Sequence, residues 1–327
     1  PYIWGWIADH TGMRIRVIQL GAFLSALSFM LVFGTSSYWG MAAVMMLYSF
    51  FWNAILPQYE VGTMNHLGED HHRYSVIRSW GSIGFILMVM MAGPMIDSLE
   101  ISVILPMLSI AFALIWVVTM VTPADQGPVH GNGIPADRMI AIIKRPEVAG
   151  LLLVFFLMQF SHGAYYAFFS IYMEQYDYTK TQIGHFWALA VLAEVVLFLL
   201  IPGMIKRYGA KKLMVASLVI AVIRWLVTAW YADSTMMIIV AQSMHAATFG
   251  LFHAVSIYLV HHYFTGKLQG RGQALYSSAS FGAGGAAGSL ASGYAWDLLG
   301  PTVTYLLAAG SVFIAVIVSL LLVRDVE

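Results

Sequence analysis

An all-α polytopic membrane protein is the fold class this sequence predicts, on three observations. Of its 327 residues 60% are hydrophobic and only 10% are charged, too few charges to cover a soluble domain of this size. The apolar residues fall in runs of about twenty, the length of helix that crosses roughly 30 Å of hydrocarbon. Basic residues gather in alternate connections between those runs, as positive-inside topology requires. Helices rather than barrel strands follow, because barrel strands are short and alternate apolar with polar.

The opening stretch, Pro1–Ala8, reads as the cytoplasmic end of a helix whose remainder is absent, with no initiator methionine and no signal peptide before it. About ten complete spans follow by hydropathy. The first four are Ile15–Gly34, Trp39–Glu60, Tyr74–Met95 and Ile101–Val121. After a long polar connection come Val148–Tyr172, Ile183–Ile205, Leu213–Tyr231, Met236–His261, Ala274–Trp296 and Thr302–Val323. One set of alternate loops holds Arg14, Arg16, Arg73, Arg138, Lys144, Arg145, Lys206, Arg207, Lys211, Lys212, Lys267, Arg271 and Arg324, whereas the other holds only Lys180. The first set is therefore cytoplasmic. The connection Pro123–Glu147, with Pro, Gly and Asp, reads as a linker. It divides the chain into an N-terminal half, 1–122, a cytoplasmic linker, 123–147, and a C-terminal half, 148–327.

A formal net charge of +0 gives no reason to expect a nucleic-acid partner, and the absence of cysteine excludes disulfides, thiol catalysis and thiolate metal sites. No cofactor and no metal site is predicted.

Two loops repeat a pattern. Gly5, Asp9, Gly12 and Arg14 surround a charged turn between helices, and Lys206, Arg207, Gly209, Lys211 and Lys212 surround another. In both, a glycine breaks the chain and basic residues open the next helix. Parallel repeats of this kind are a transporter architecture, with the solute site near midplane. The first loop resembles G-x-x-x-D-x-x-G-x-[RK], the signature between helices two and three of the major facilitator superfamily, with His10 where an arginine is usual. The resemblance implies two six-helix pseudo-repeat halves, and an N-terminally truncated chain that carries the end of helix two and helices three to twelve.

Ionisable and polar residues within spans are functional candidates, because charge in hydrocarbon is costly unless paired or hydrated. Glu60 follows Pro57, and Arg78 opens Arg78-Ser79-Trp80-Gly81-Ser82-Ile83-Gly84-Phe85; a short loop could bring the two charges together. Trp80 offers a flat apolar face, and Gly81 and Gly84 permit close approach. Glu194 lies half-way along its span among Leu192, Ala193, Val195 and Val196, a setting suited to taking up and releasing a proton. Arg224, mid-way along the next span, is its expected partner, so a switch between paired and unpaired states is a coupling device. Gln159, His162, Tyr165 and Tyr166 place polar groups along one span, with His162 and Tyr166 on one face. Gln242, His245 and Thr248, spaced by threes, do the same along another, followed by His253. Gly284 and Gly288 stand in the G-x-x-x-G spacing of close helix packing.

The pattern Pro-x-x-Glu and Arg-x-x-Gly-x-x-Gly-aromatic, on Pro57, Glu60, Arg78, Gly81, Gly84 and Phe85, resembles the lactose-permease-like branch, and its wording is most similar to the phenylpropionate-permease-like, nucleoside-symporter-related members. That resemblance implies solute contacts by Glu60 and Arg78, and a helix-eight glutamate and helix-nine arginine at Glu194 and Arg224. His245 matches a tenth-helix histidine of that branch. Thr248 departs from the pattern where its proton-carrying glutamate would stand, and Gln242 where a lysine would. Proton coupling then rests on Glu194 or on a residue elsewhere.

The expected function is proton-coupled symport of a small organic solute by alternating access, not an enzymatic reaction. Two intramembrane arginines suit a carboxylate or many hydroxyls. With the resemblance, an aromatic carboxylate such as a phenylpropionate-like acid comes first, and a nucleoside or sugar second. Solute contacts are expected from Glu60, Arg78, Trp80, Gln159, His162, Tyr166 and Gln242, proton coupling from Glu194, Arg224 and His245, and conformational control from Gly5, Asp9, Gly12, Arg14 and Gly209. The partners are solute, proton and lipid bilayer; the resemblance implies a monomer in a bacterial inner membrane. The rival from another class is a bis-histidine haem oxidoreductase, for which His162, His245 and His253 are the candidate ligands.

Overall fold

The computed structural model describes residues 2–67, 74–123, 136–265 and 268–324. Every regular element among them is helical. In chain order these are α1 (Tyr2–Thr11), α2 (Arg14–Phe29, prolonged by the 3-10 turn Met30–Gly34), α3 (Tyr38–Trp52), α4 (Leu56–Leu67), α5 (Tyr74–Leu99), α6 (Ile104–Val121) and α7 (Ala136–Ile143). They continue with α8 (Pro146–Glu174), α9 (Lys180–Phe198), α10 (Ile201–Tyr208), α11 (Ala210–Trp230), α12 (Thr235–Ser243), α13 (Phe252–Tyr263), α14 (Gln269–Ser277), α15 (Gly285–Leu299) and α16 (Pro301–Leu322). Two π-helical turns, Ala246–Leu251 and Ser278–Gly284, join α12 to α13 and α14 to α15.

Local chemistry sets these boundaries. Ser37 caps α3 by accepting from the Gly40 amide, and Thr179 and Gln182 form a reciprocal capping box on α9. Pro146 and Pro301 open α8 and α16, where a missing amide costs nothing. Gly12 (φ +64°) and Gly209 (φ +82°) take backbone conformations that a side chain resists. In each case the glycine amide bonds back four residues, Gly12 to Ala8 O at 3.0 Å and Gly209 to Ile205 O at 2.9 Å. Both turns of the sequence repeat thus place a positive-φ glycine just past a helix end, at the N-cap of the next helix in the second and one residue before it in the first.

Nine helices among the described residues are long and apolar enough to cross a membrane. Some of these spans include more than one element: Tyr38–Leu67 breaks at Asn53–Ile55, and Thr235–Tyr263 contains a π turn. The predicted span Ala274–Trp296 falls on the unbroken helical path α14–π turn–α15, whose glycines and serines dilute its hydropathy. Leu199, Leu298 and Leu321 are at least three-quarters exposed, an apolar surface suited to lipid rather than water.

The chain forms two compact units, Pro1–Gly81 with Ser98–Asn132, and Ser82–Asp97 with Gly133–Glu327. In the first, α2 packs on α3 and α6 through Phe29, Val32, Val44 and Phe112, and a second cluster joins Trp4, Ala8, Val17 and Ala54. In the second, one continuous core runs through α8, α11, α13 and α16 around Phe155, Trp225, Val255 and Val312. There α8 and the α14–α15 segment approach backbone to backbone. A Cβ on Gly284 would lie 2.6 Å from Phe156 O, and one on Gly288 would collide with Phe160 O. Residues 124–135, about half of the predicted linker, lie outside the described residues. Its last part holds α7, whose Ile142 is buried and whose Met139 and Ile143 pack on the second core.

Candidate functional site

The polar residues of α8, α9, α11 and the α12–α13 span meet around Arg224. This arginine, two-thirds of the way along α11, is 1% exposed. Its Nη1 donates to Thr248 Oγ1 at 2.9 Å and to His245 Nδ1 at 3.1 Å. Its guanidinium lies 4.3 Å from the Tyr165 ring centroid and 4.5 Å from that of Trp225, so two π faces offset its burial. An arginine only donates; His245 Nδ1 is therefore the acceptor, and a neutral ring carries its hydrogen on Nε2. That Nε2 stands 3.7 Å from Glu194 Oε2. The expected link between Glu194 and Arg224 thus has His245 in its middle. Accessibility rises along the chain of groups, from buried Arg224 to side-chain values of 6% for His245 and 14% for Glu194.

Two features of the sequence shape this arrangement. The π turn beginning at Ala246 follows His245 directly and widens the helix by one residue, a distortion common at functional sites. Across it, Gln242 still reaches α8, where its Oε1 accepts from Tyr165 Oη at 2.7 Å, while His245 and Thr248 reach Arg224. Gly250, inside the turn, gives Glu194 room: a Cβ there would come within 2.8 Å of Glu194 Cγ. Thr248, standing where the resemblance expects a glutamate, serves as a neutral acceptor for Arg224.

His162 Nδ1 donates to Met158 O at 2.9 Å, which leaves Nε2 as an acceptor. Among the described residues, neither His162 Nε2 nor Arg224 Nη2 has a hydrogen-bond partner, although both are buried. A free acceptor and a free donor in one cluster can serve a group that presents both functions. Tyr166 shares a face with His162, their rings 5.9 Å apart, and stacks on Trp187 at 13°. Tyr166 has 46% of its surface accessible, so its ring offers an exposed face. Gln159 is buried and faces Gly285, whose Cβ would lie 3.8 Å from its Cγ.

In the first unit, the predicted meeting of Glu60 and Arg78 does not occur: no ion pair joins them among the described residues. Arg78 is exposed and lies along α5 toward Gly81, where a Cβ would come 2.8 Å from its Nη1. A long side chain near a helix start can lie along its own helix in this way instead of crossing to α4. Trp80 is 68% exposed and Glu60 half-buried. Gly5 and Arg14 of the loop signature converge on Gln58, a residue that hydropathy did not single out. Arg14 Nη1 donates to Gln58 Oε1 at 3.3 Å, and Gly5 leaves space for the Gln58 amide. The side chain of Asp9 lies outside the described residues.

Asp97, at the end of α5, also escaped the sequence reading. Its carboxylate accepts from the Lys180 and Thr181 amides, each at 2.9 Å, and from Thr181 Oγ1 at 2.6 Å. It therefore caps the positive end of α9. Beside it, Gly93 and Gly184 allow α5 and α9 to touch, since a Cβ on Gly93 would lie 2.7 Å from Lys180 O.

The profile of the MFS_1 like family matches residues 1–307. The chain belongs to that family. As an MFS_1 like protein it is 25% identical to the probable 3-phenylpropionic acid transporter of Escherichia coli (strain K12), over 90% of this chain and 76% of that one. It is also 25% identical to the maltose permease of Geobacillus stearothermophilus, over 98% of this chain and 81% of that one. Its fold is similar to the crystal structure of the nucleoside transporter NupG, with a TM-score of 0.81 at 17% identity, covering 98% of this chain and 85% of that one. A bacterial homolog of the human lysosomal transporter Spinster is similar at TM-score 0.66 and 12% identity, covering 97% and 82%. This MFS_1 like chain is a multi-pass membrane transporter with the major facilitator fold; its relatives are transporters rather than enzymes.

Proposed function

We propose that the protein is a proton-coupled symporter of a small organic acid, an aromatic carboxylate in the first instance. The observation that carries this reading is the graded chain Glu194–His245–Arg224, with its accessible end at Glu194 and its buried end on a cation. With Glu194 ionised, carboxylate and guanidinium balance one another. A proton taken up at Glu194 leaves Arg224 as an uncompensated positive charge in a low dielectric, where Coulombic attraction is strong. A carboxylate solute restores the balance, so proton and anion favour each other's binding, which is thermodynamic coupling. Arg224 Nη2 and His162 Nε2 are the free polar positions on the carboxylate side, and Tyr166 with Trp187 supplies a flat aromatic surface for a ring. Gln242 positions Tyr165 beneath Arg224, and Gln159 is assigned a further solute contact. Glu60, Arg78 and Trp80 are assigned contacts from the first unit. Gly5, Asp9, Gly12, Arg14 and Gly209 are assigned to conformational control of alternating access. A similar protein is named a probable 3-phenylpropionic acid transporter, which supports the choice of solute.

A second reading, a nucleoside or sugar solute, draws on the maltose permease and NupG likenesses and on the stacking surface at Tyr166 and Trp187. Proteoliposome uptake of labelled 3-phenylpropionate, uridine and maltose, with and without an inward proton gradient, separates the two. Gradient-driven accumulation of 3-phenylpropionate alone is the expected result. Accumulation of only a neutral solute would overturn the acid assignment.

A further inference from the structure

The start of α11, next to the Gly209 turn, carries a surface feature outside the polar cluster. A groove of about 470 Å³ opens on the surface between α11 and α16, walled by Val215, Val219, Ile220 and Leu320 and headed by Lys211 and Lys212. Its lysine head lies thirteen residues along α11 from Arg224, roughly 20 Å at 1.5 Å per residue, and its wall ends at Ile220, so none of its lining residues belongs to the polar cluster. No acidic residue lines it, and none stands in the first turn of α11.

That charge arrangement is unfavourable as it stands. A helix N-terminus bears partial positive charge from its unbonded amides and favours carboxylates, yet α11 opens on two adjacent lysines. Gly209, at φ +82°, turns the chain abruptly into α11 and leaves those amides bare of any side-chain cap. Lys211 Nζ reaches across the groove to Leu320 O at 3.5 Å, so one charge is held at the head of the groove rather than turned out to water. We propose that this groove binds one anionic phospholipid. Its phosphate would sit between Lys211, Lys212 and the first amides of α11, and an acyl chain would run down the apolar wall over Val215 and Val219. Three positive contributions then meet one negative group at the depth of a headgroup, and the apolar wall continues toward the hydrocarbon. Basic pockets between membrane helices recognise cardiolipin and related headgroups by this chemistry. Lysines serving only to orient the chain by the positive-inside rule need no groove beside them.

The test measures thermal unfolding of the whole protein in phosphatidylcholine nanodiscs, alone and doped with phosphatidylglycerol or cardiolipin, with native mass spectrometry of retained lipid. Anionic lipid should raise the unfolding midpoint and stay bound, and the rise should shrink in high salt. The double variant Lys211→Gln/Lys212→Gln removes charges that the helix N-terminus disfavours, so it should fold equally well in phosphatidylcholine but lose the anionic-lipid shift. Val215→Trp, which fills the groove and keeps both lysines, should lose retained lipid as well. An undiminished shift in either variant, an equal effect of phosphatidylethanolamine, or the same shift from free inorganic phosphate would overturn the proposal.

Discussion

Glu194 concentrates the chemistry of the polar cluster in one side chain, because it is its accessible carboxyl and lies beside a histidine whose other nitrogen is held by Arg224. Replacing it with glutamine keeps the shape and removes the proton site. Glu194→Gln should therefore abolish gradient-driven accumulation while exchange of labelled for unlabelled solute persists; intact accumulation would move coupling to another group. Arg224→Lys tests a different property. A lysine preserves the charge but cannot lie flat on Tyr165 and Trp225 while donating to both His245 and Thr248. Leaving buried acceptors unmade costs about 1–3 kcal/mol. Solute affinity should fall at least tenfold in equilibrium binding, with retained affinity excluding a role for the planar fork. These residues were legible in the sequence because charge within an apolar span is conspicuous. Tyr165 was read as a polar group of its span but not as a face for the guanidinium, and Trp225 was not singled out: an aromatic ring carries no sign in sequence of the cation it covers.

Helix-level features were less evenly readable. Glycines at the turns could be recognised from a charged break flanked by helices, and Gly12 and Gly209 do take positive φ. A Cβ at such a position costs about 1 kcal/mol of backbone strain. Gly12→Ala and Gly209→Ala should each lower the unfolding midpoint in detergent, whereas Gly203→Ala, which meets open space, should not. Equal midpoints for all three would mean that the turns relax without penalty. The break at Asn53–Ile55 passed unnoticed because hydropathy averages across it. The π turns left no trace, since one inserted residue does not alter composition. Glu60 and Arg78 lie on consecutive helices, yet no ion pair joins them among the described residues: nearness in sequence does not dictate where long side chains point. Asp97 was overlooked for a related reason: a carboxylate at a span end looks like ordinary surface until the amides it caps are placed beside it.

At the scale of the whole molecule, the fold class was the most legible property. The bilayer imposes one length and one polarity on every span, and loop charge records their alternation. Solute identity is encoded by a few convergent atoms, which no periodicity reports. Charge balance over a complete transport cycle supplies the missing discrimination. A carboxylate that enters with a single proton carries no net charge across the membrane. A nucleoside or sugar that enters with a proton carries one positive charge. If Arg224 is neutralised alternately by Glu194 and by a bound carboxylate, the loaded protein has the same net charge as the empty one. Its conformational change is then insensitive to voltage. Adding 3-phenylpropionate to proteoliposomes on a solid-supported membrane should thus produce uptake without a sustained current. Internal acidification should accompany that uptake, because the proton still travels. A sustained inward positive current on adding the acid would mean more than one proton per carboxylate, and the balance between Glu194, Arg224 and the carboxylate could not then be the basis of coupling.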